Sequence, residues 1–227
     1  MAISVDTVYQ RVLALANKEQ RGYITPQEFN LLAGQAQMEI FEQYFYEAKS
    51  EDRNLKNSTE FSNADEMLDE KISVFKTFGA VNMSDEMGSL PSDLYRLGNV
   101  YTSAMIEVEE VTSSEAMYLQ QSPLTKPTIQ FPAFERILIS IIKTYPALTS
   151  PTCNYIRQPK TPEWGYVVVN EKALYNNTSS VDFELHNSDS SELVYKILSL
   201  AGIVIAKPGL GTYAEQQITA QKTQEKH

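Results

Sequence analysis

The hydrophobic pattern of this chain changes its period twice, and that change limits the folds open to it. Residues 5–20, 26–50 and 67–75 carry apolar side chains at the three- and four-residue spacing of amphipathic helices. Gly79 is predicted to end the third helix, and from residue 79 to 169 short alternating runs separated by Pro, Ser and Asn are typical of strands and turns. Helical spacing returns after Asp189. The pattern therefore predicts helices, then strands, then helices.

The most specific local signal is the tetrapeptide Thr-Pro-Gln-Glu at residues 25–28. It has the form of a capping box, in which the Thr hydroxyl accepts from a free amide of the first turn and the Glu carboxylate reaches back. A long second helix is thus predicted to begin at Pro26. Its apolar stripe is broad and includes Phe41, Tyr44 and Phe45, which predicts contacts on more than one side.

We predict an α+β fold in which helices from both ends of the chain form a bundle and a β-rich insertion projects from it. The predicted divisions are N-terminal bundle helices in residues 1–78, the insertion in 79–170, a strand and the C-terminal bundle helix in 171–207, and a C-terminal arm in 208–227. The predicted strands of the insertion are residues 94–101, 105–111, 134–143, 152–157 and 166–169, with a short helix at 114–120. The arm has few apolar residues, so a helix there needs a partner to hold it.

Composition and charge exclude several classes of protein. The net charge is -10, so the chain is a poor candidate for binding nucleic acid by phosphate neutralisation, which needs clustered cations. Cys153 is the single cysteine, which excludes an intramolecular disulfide and a Cys-rich zinc site. The first residues lack the basic start and apolar run of a signal peptide, and the apolar run 137–142 is too short to span a bilayer. We expect assembly in the cytosol and no membrane partner.

Few residues are arranged for catalysis. His186 and the terminal His227 are the only histidines, so a nucleophile and base pair would depend on His186 alone. Asp182 and Glu184 lie two apart on a predicted strand and could hold a cation or share a proton, although a solvated strand face is the simpler interpretation. The carboxylates of residues 107–110 show no calcium-loop spacing. We predict no catalytic residue, no metal and no cofactor.

Two further motifs suggest ligands. Residues 209–214, Gly-Leu-Gly-Thr-Tyr-Ala, fit a dinucleotide fingerprint, but too few residues follow to complete a βαβ unit. We interpret them as a turn. Trp164 and Tyr166 could form a platform for bases or sugars, but without interleaved Lys or Arg we favour packing in the core.

Three stretches resemble the neck proteins of tailed phages, the head-to-tail connector family that includes adaptor, tail tubular and portal-ring proteins. The first is residues 17–26, between the first two predicted helices. The second is Leu-Pro-Ser-Asp-Leu-Tyr-Arg-Leu at 90–97, at the start of the β part. The third runs from 155–166 through 182–186 into the helix near Ser190.

The resemblance implies a virion structural protein rather than an enzyme, with about twelve copies in a ring below the portal. The ring would link the portal to the tail and continue the DNA channel, through which DNA passes without specific binding. The implied partners are the portal protein, further neck or tail proteins and copies of the chain itself. An acidic channel wall, with the cluster Glu107, Glu109 and Glu110 as a candidate, would repel passing DNA.

Two sets of interface residues follow from that interpretation. The broad stripe of the second helix supplies the expected ring interface, at Phe41, Tyr44 and Phe45. The expected portal-docking arm comprises Leu210, Tyr213, Gln216, Gln217 and Ile218. Two alternatives remain: a tail-side structural or receptor-binding module that contacts a glycan through Trp164 and Tyr166, and an enzyme with a site on Asp182, Glu184 and His186.

Overall fold

The computed structural model describes residues 3–18, 24–53, 60–204, 216, 217 and 219. It divides the chain into two compact units: unit 1 comprises Met1–Val74 and Pro159–His227, and unit 2 comprises Phe75–Gln158. The α-helices are α1 (Val5–Lys18), α2 (Pro26–Arg53), α3 (Glu60–Ser73), α4 (Ser113–Gln121) and α5 (Ser190–Val204), the last preceded by a 3-10 helix (Asn187–Asp189). The strands are β1 (Lys76–Ala80), β2 (Asn82–Ser84), β3 (Met87–Ser89), β4 (Leu94–Tyr101), β5 (Glu107–Val111), β6 (Ala133–Leu138), β7 (Ile141–Tyr145), β8 (Thr152–Arg157), β9 (Tyr166–Val169) and β10 (Lys172–Tyr175).

Unit 1 contains α1, α2, α3 and α5, together with the β9–β10 hairpin. The predicted capping box is confirmed, because the backbone N–H and the hydroxyl of Thr25 both donate to Glu28 Oε2, at 2.9 and 2.8 Å. Burial of the apolar faces of the helices holds the unit together. Its largest fully buried side chains are Ile24, Phe29, Ile40, Phe41, Phe183, Leu185, Leu193, Ile197 and Leu198.

Unit 2 is built on one eight-stranded sheet with the order β1-β8-β4-β5-β6-β7-β3-β2. The pairs are antiparallel except β5 with β6, which are parallel and joined by a crossover that contains α4. The two edge strands, β1 and β2, are consecutive in the chain and are separated only by Val81. The sheet therefore curls toward a barrel, since its first and last strands meet at that residue. The core is Val81, Leu90, Leu94, Val100, Val108, Phe134, Ile142, Leu148, Cys153 and Tyr155.

The chain is α+β, but the prediction of a helical bundle with a β insertion is wrong, because this large sheet dominates the fold. Strands β1 to β3 fill residues 76–89, where the hydrophobic pattern predicted the end of the third helix at Gly79 and no strand. That glycine is in β1, where an added Cβ would stand 2.8 Å from the rings of Pro91 and Tyr155. A glycine is required at this position because neighbouring chain segments approach it closely, and not because a helix ends there.

The predicted single strand 134–143 is also wrong, because it is the β6–β7 hairpin. Ser140 lies in its turn, and its carbonyl accepts from the backbone N–H of Leu90 at 2.8 Å. Three predicted strands are confirmed, at 94–101, 152–157 and 166–169. The predicted short helix at 114–120 corresponds to α4, which Thr112 and Glu115 start with a second capping box.

Candidate functional site

The residues of the candidate catalytic site are engaged in holding the fold of unit 1. Asp182 Oδ1 accepts the backbone N–H at the start of α1, at 2.9 Å. Glu184 Oε2 accepts the backbone N–H of Lys160, also at 2.9 Å. His186 caps the 3-10 helix, with its Nδ1 2.8 Å from the hydroxyl of Ser188. Each group thus stabilises a neighbouring backbone segment, as capping and turn residues do.

Trp164 is a core residue, as favoured from the sequence, and only 3% of it is exposed. Its indole Nε1–H donates to Asp6 Oδ1 at 2.9 Å, and its backbone N–H donates to Asn30 Oδ1 at 2.8 Å. The ring centroid lies 4.5 Å from that of Tyr9 and 5.8 Å from that of Tyr166. Because the indole is covered, it offers no free face on which a sugar or a base could stack.

The three aromatic residues of the expected ring interface are buried within unit 1. Phe41, Tyr44 and Phe45 are 0, 3 and 7% exposed. The rings of Phe41 and Phe45 meet edge to face at 5.1 Å, and the Tyr44 hydroxyl donates to the Asp189 carboxylate. They lack the exposed surface that a contact between copies would bury.

The expected portal-docking arm falls mainly outside the described residues, namely at Leu210, Tyr213 and Ile218. Gln216 and Gln217 are helical, and Gln216 is exposed. The docking role of this arm therefore stays a prediction.

A buried polar cluster joins three helical elements of unit 1. Asp189 is 0% exposed; its Oδ1 lies 2.8 Å from Lys71 Nζ of α3 and accepts from the Ser188 hydroxyl at 3.0 Å. Tyr44 of α2 donates to the other carboxylate oxygen. Burial raises the pKa of Tyr44, and the neighbouring Asp189 charge adds to this, so the phenol stays protonated as the donor. The cluster positions α2 and α3 against the start of α5.

The predicted acidic cluster lies beside a groove of about 350 Å³ in unit 2. Glu107, Glu109 and Glu110 line it on β5, and Gly98 and Asn99 line it on β4. The two strands pair only at their Tyr101–Glu107 end and then diverge, which opens the groove. The Asn99 amide donates to Glu107 at 2.8 Å. The arrangement is a strongly anionic wall.

The crossover between β5 and β6 carries the largest set of exposed apolar side chains in unit 2. The inner face of α4 packs on the sheet through Ala116 and Leu119, so its outer face is turned to solvent. The set, called the crossover patch, is Met117, Tyr118, Leu124, Ile129 and Phe131, with exposures of 66, 72, 97, 73 and 79%. Exposed apolar side chains gathered in one segment of the chain are a candidate for a surface that another protein covers.

The β9–β10 hairpin of unit 1 carries a second apolar surface. Cross-strand pairing of Val167 with Leu174 and of Val169 with Lys172 places these four side chains on one face. The apolar members, called the hairpin patch, are 50% (Val167), 53% (Leu174) and 46% (Val169) exposed. The opposite face bears the Tyr166 and Tyr175 rings that lie 5.8 Å from the Trp164 ring. The core therefore anchors the base of the hairpin through these two rings, while Val168, on the same face, is 63% exposed.

Neither apolar surface was identified from the sequence. In the crossover patch, Leu124, Ile129 and Phe131 stand in a Pro-, Thr- and Gln-containing loop without a period, so the pattern does not show which of them are exposed. Val167 and Val169 were assigned to a strand, but the face that each side chain occupies depends on Trp164 and on the pairing with β10.

No family model and no curated protein matches this chain. Within the described residues, no group of three or more His, Cys, Asp or Glu side chains is placed to hold a metal ion. Among the helices in those same ranges, none combines the length and the hydropathy that crossing a bilayer requires.

Proposed function

We propose that this chain is a virion structural protein of a tailed phage, a ring-forming head-to-tail adaptor that links the portal to the tail and continues the DNA channel. The observation that carries the proposal is the crossover patch, with five apolar side chains that are each at least 66% exposed. Exposed apolar surface of this extent favours a function in assembly through protein contacts.

A closed ring requires two unlike contact surfaces on each subunit, and the two patches are candidates for them. Each subunit of a closed ring contacts its neighbours through two unlike surfaces, because head-to-tail contacts generate rings whereas self-complementary contacts close at a dimer. We propose the crossover patch on unit 2 and the hairpin patch on unit 1 as candidates for these surfaces, because both expose apolar side chains. The resemblance of residues 17–26, 90–97 and 155–166 to neck proteins supports the same function.

The charge distribution is compatible with a channel that DNA crosses without binding. The net charge is -10, and β5 presents Glu107, Glu109 and Glu110 side by side on one groove. Carboxylates at a channel wall repel phosphates and keep them from adhering. The proposed partners are the portal protein, a further neck or tail protein and about twelve copies of the chain in one ring.

Localisation in purified particles tests this function. An antibody against the chain, used with gold labelling on purified virions, is expected to mark the junction between head and tail. Mass spectrometry of the same particles should find the chain at the copy number of the portal protein. Its absence from particles, or labelling of tail fibres instead of the neck, would contradict the proposal.

A further inference from the structure

A β-bulge in β4 borders the groove between β4 and β5, called here the acidic groove. Gly98 and Asn99 together stand opposite a single residue of β8, Asn154, because the register of these two strands shifts there. A Cβ on Gly98 would lie 2.8 Å from the carbonyl oxygen of Asn154, so this close approach requires a glycine. A bulge bends its strand and can terminate pairing. The bulge thus accounts for the divergence of β4 from β5.

The divergence leaves an edge of β5 open to the acidic groove. The ladder between β4 and β5 includes Glu107 and Val108 and stops before Glu110. The backbone N–H of Glu109 donates to the Pro132 carbonyl, on the side of β6, at 3.0 Å. Because the backbone groups of successive strand residues point to opposite sides, the N–H and the C=O of Glu110 point to the groove. The ladder therefore leaves one donor and one acceptor for another strand.

The lining of the acidic groove shows that it follows this edge. Four successive residues of β5, at positions 107–110, line one wall. Side chains of successive strand residues project from opposite faces of a sheet, so all four can line one groove only where it runs along the edge of the strand. The opposite wall includes Gly98 and Asn99, which are exposed. Its volume of about 350 Å³ lies within the range of about 300–1,000 Å³ typical of ligand sites.

The carboxylates of the acidic groove are not neutralised by the described part of the chain. Among the described residues, no Lys or Arg forms an ion pair with Glu107, Glu109 or Glu110. Arg136 lines an adjoining hollow together with Glu110, but its guanidinium donates to the carbonyl of Ile139 at 2.9 Å. The groove therefore combines an open strand edge with a negative potential that attracts cations.

We infer that this edge of β5 binds an extended, cationic segment of a partner protein, which adds a strand in the acidic groove. The backbone of such a segment pairs with the N–H and the C=O of Glu110, as in other cases of strand addition. Its Lys or Arg side chains form charge-assisted hydrogen bonds with the carboxylates. Charges on an exposed edge keep most strands away, and carboxylates exclude neutral and acidic segments while they admit a cationic one. Phosphates are repelled, so the ligand is a polypeptide and not a nucleic acid.

The inference goes beyond the adaptor function and does not depend on it. A segment bound in the acidic groove would cover the carboxylates of residues 107–110, so these would not face a channel at the same time. Ring formation on the portal and binding of a peptide to the chain alone are separate measurements. The failure of one therefore leaves the other unaffected.

Amide hydrogen exchange of the full chain, measured by NMR, tests the strand addition. The probe is a capped octapeptide of alternating Lys and Val, added in a low-salt buffer in which surface charges are least screened. We expect it to slow exchange of the Glu110 amide by about tenfold or more. The Glu109 amide is the internal control, because it already donates to the Pro132 carbonyl and should not change. Unchanged exchange at Glu110 in the presence of saturating probe, or no binding of the probe, would overturn the inference.

Two further peptides separate backbone pairing from attraction between charges. One has the sequence of the probe with N-methyl groups throughout, which removes its backbone N–H donors and blocks both of its edges. The other has Glu in place of each Lys. We expect both to bind at least about tenfold more weakly than the probe. Equal affinity for the methylated peptide would show that charge alone attracts the probe and that no strand is added.

A variant of the groove and a matched control locate the site. The groove variant carries Glu109→Gln with Glu110→Gln, and the control carries Glu42→Gln with Glu171→Gln, two exposed carboxylates elsewhere that give the same change in net charge. We expect the groove variant to bind the probe about tenfold more weakly and the control to bind it like the unmodified chain. Urea denaturation verifies that both variants fold. Equal losses of affinity would show that the probe responds to the net charge of the chain and not to the acidic groove.

Discussion

The Lys71 ammonium lies 2.8 Å from the carboxylate of Asp189, a side chain that is 0% exposed. Lys71 is in α3 and Asp189 precedes α5, so the pair ties two helices that are distant in sequence. A buried charge of this kind is tolerated only while its partner and its hydrogen bonds are present. The contact therefore makes the packing of unit 1 sensitive to either residue.

Removing the cation should destabilise the chain strongly. Lys71→Met leaves the Asp189 carboxylate buried without its cation, and we expect the free energy of unfolding to fall by about 3–5 kcal/mol. The matched control is Lys196→Met on α5, because Lys196 lies 2.8 Å from Glu39 but both side chains are more than a quarter exposed. In this control the free energy of unfolding should fall by no more than about 1 kcal/mol. Urea denaturation measures both values, and equal losses would show that burial of the Asp189 pair has no special effect.

The capping box at the start of α2 should contribute measurably to the free energy of unfolding. Thr25→Ala removes the hydroxyl that accepts from the backbone N–H of Glu28, and we expect a loss of about 1 kcal/mol. Thr25→Ser keeps a hydroxyl at the same place and should retain most of the stability. If Thr25→Ser loses as much as Thr25→Ala, packing of the methyl group explains the effect and the cap does not.

The parts of the fold that can be predicted from the sequence are those determined by residues close together in the chain. Thr25 with Glu28 and the alternating run 94–101 need only near neighbours in the chain, and both were predicted. Gly79 was misread as a helix end, because its close contact with Tyr155 comes from β8, far along the chain. Ser140 was placed inside a strand, because a turn between two apolar runs has no Gly or Pro to mark it.

The candidate site was less predictable for the same reason. Phe41, Tyr44 and Phe45 form a stripe that suggests an interface, but the partner that covers them is the rest of unit 1, including the region of Asp189. Conversely, Phe131 and Leu124 are of residue types that are usually buried in the core, but both are exposed in the structure. Periodicity shows which residues share a face, and it does not show what covers that face.

Tyr155 should make the stability of the folded chain fall at high pH. Burial, followed by the hydrogen bond to Asp93 at 2.9 Å, raises the pKa of this phenol to about 12 from the ordinary value of 10.0. Because the folded pKa lies above the unfolded one, its contribution to stability is complete below pH 10.0 and is lost as the pH approaches 12.

Tyr155→Phe should therefore flatten the fall in stability between those two pH values, whereas Tyr118→Phe, at an exposed position, should follow the unmodified chain. Urea midpoints measured at intervals across that range give the comparison. Parallel curves for Tyr155→Phe and the unmodified chain would exclude Tyr155 as a source of the pH dependence.

The C-terminal arm should be dispensable for folding and required for docking. We expect a chain truncated after Lys207 to keep the thermal unfolding midpoint within a few degrees, because the buried side chains in the part of the chain that the structure describes lie between residues 3 and 201. The same chain should lose binding to the portal protein in a pull-down. Retention of full binding would show that residues 208–227 are not the docking arm.

The adaptor function is tested most directly by electron microscopy of the purified chain mixed with the portal protein of the same phage. We expect a ring of additional density below the portal, with the rotational symmetry of the portal and an open central channel. Portal particles without added density, at concentrations of the chain well above those found in assembling cells, would contradict it.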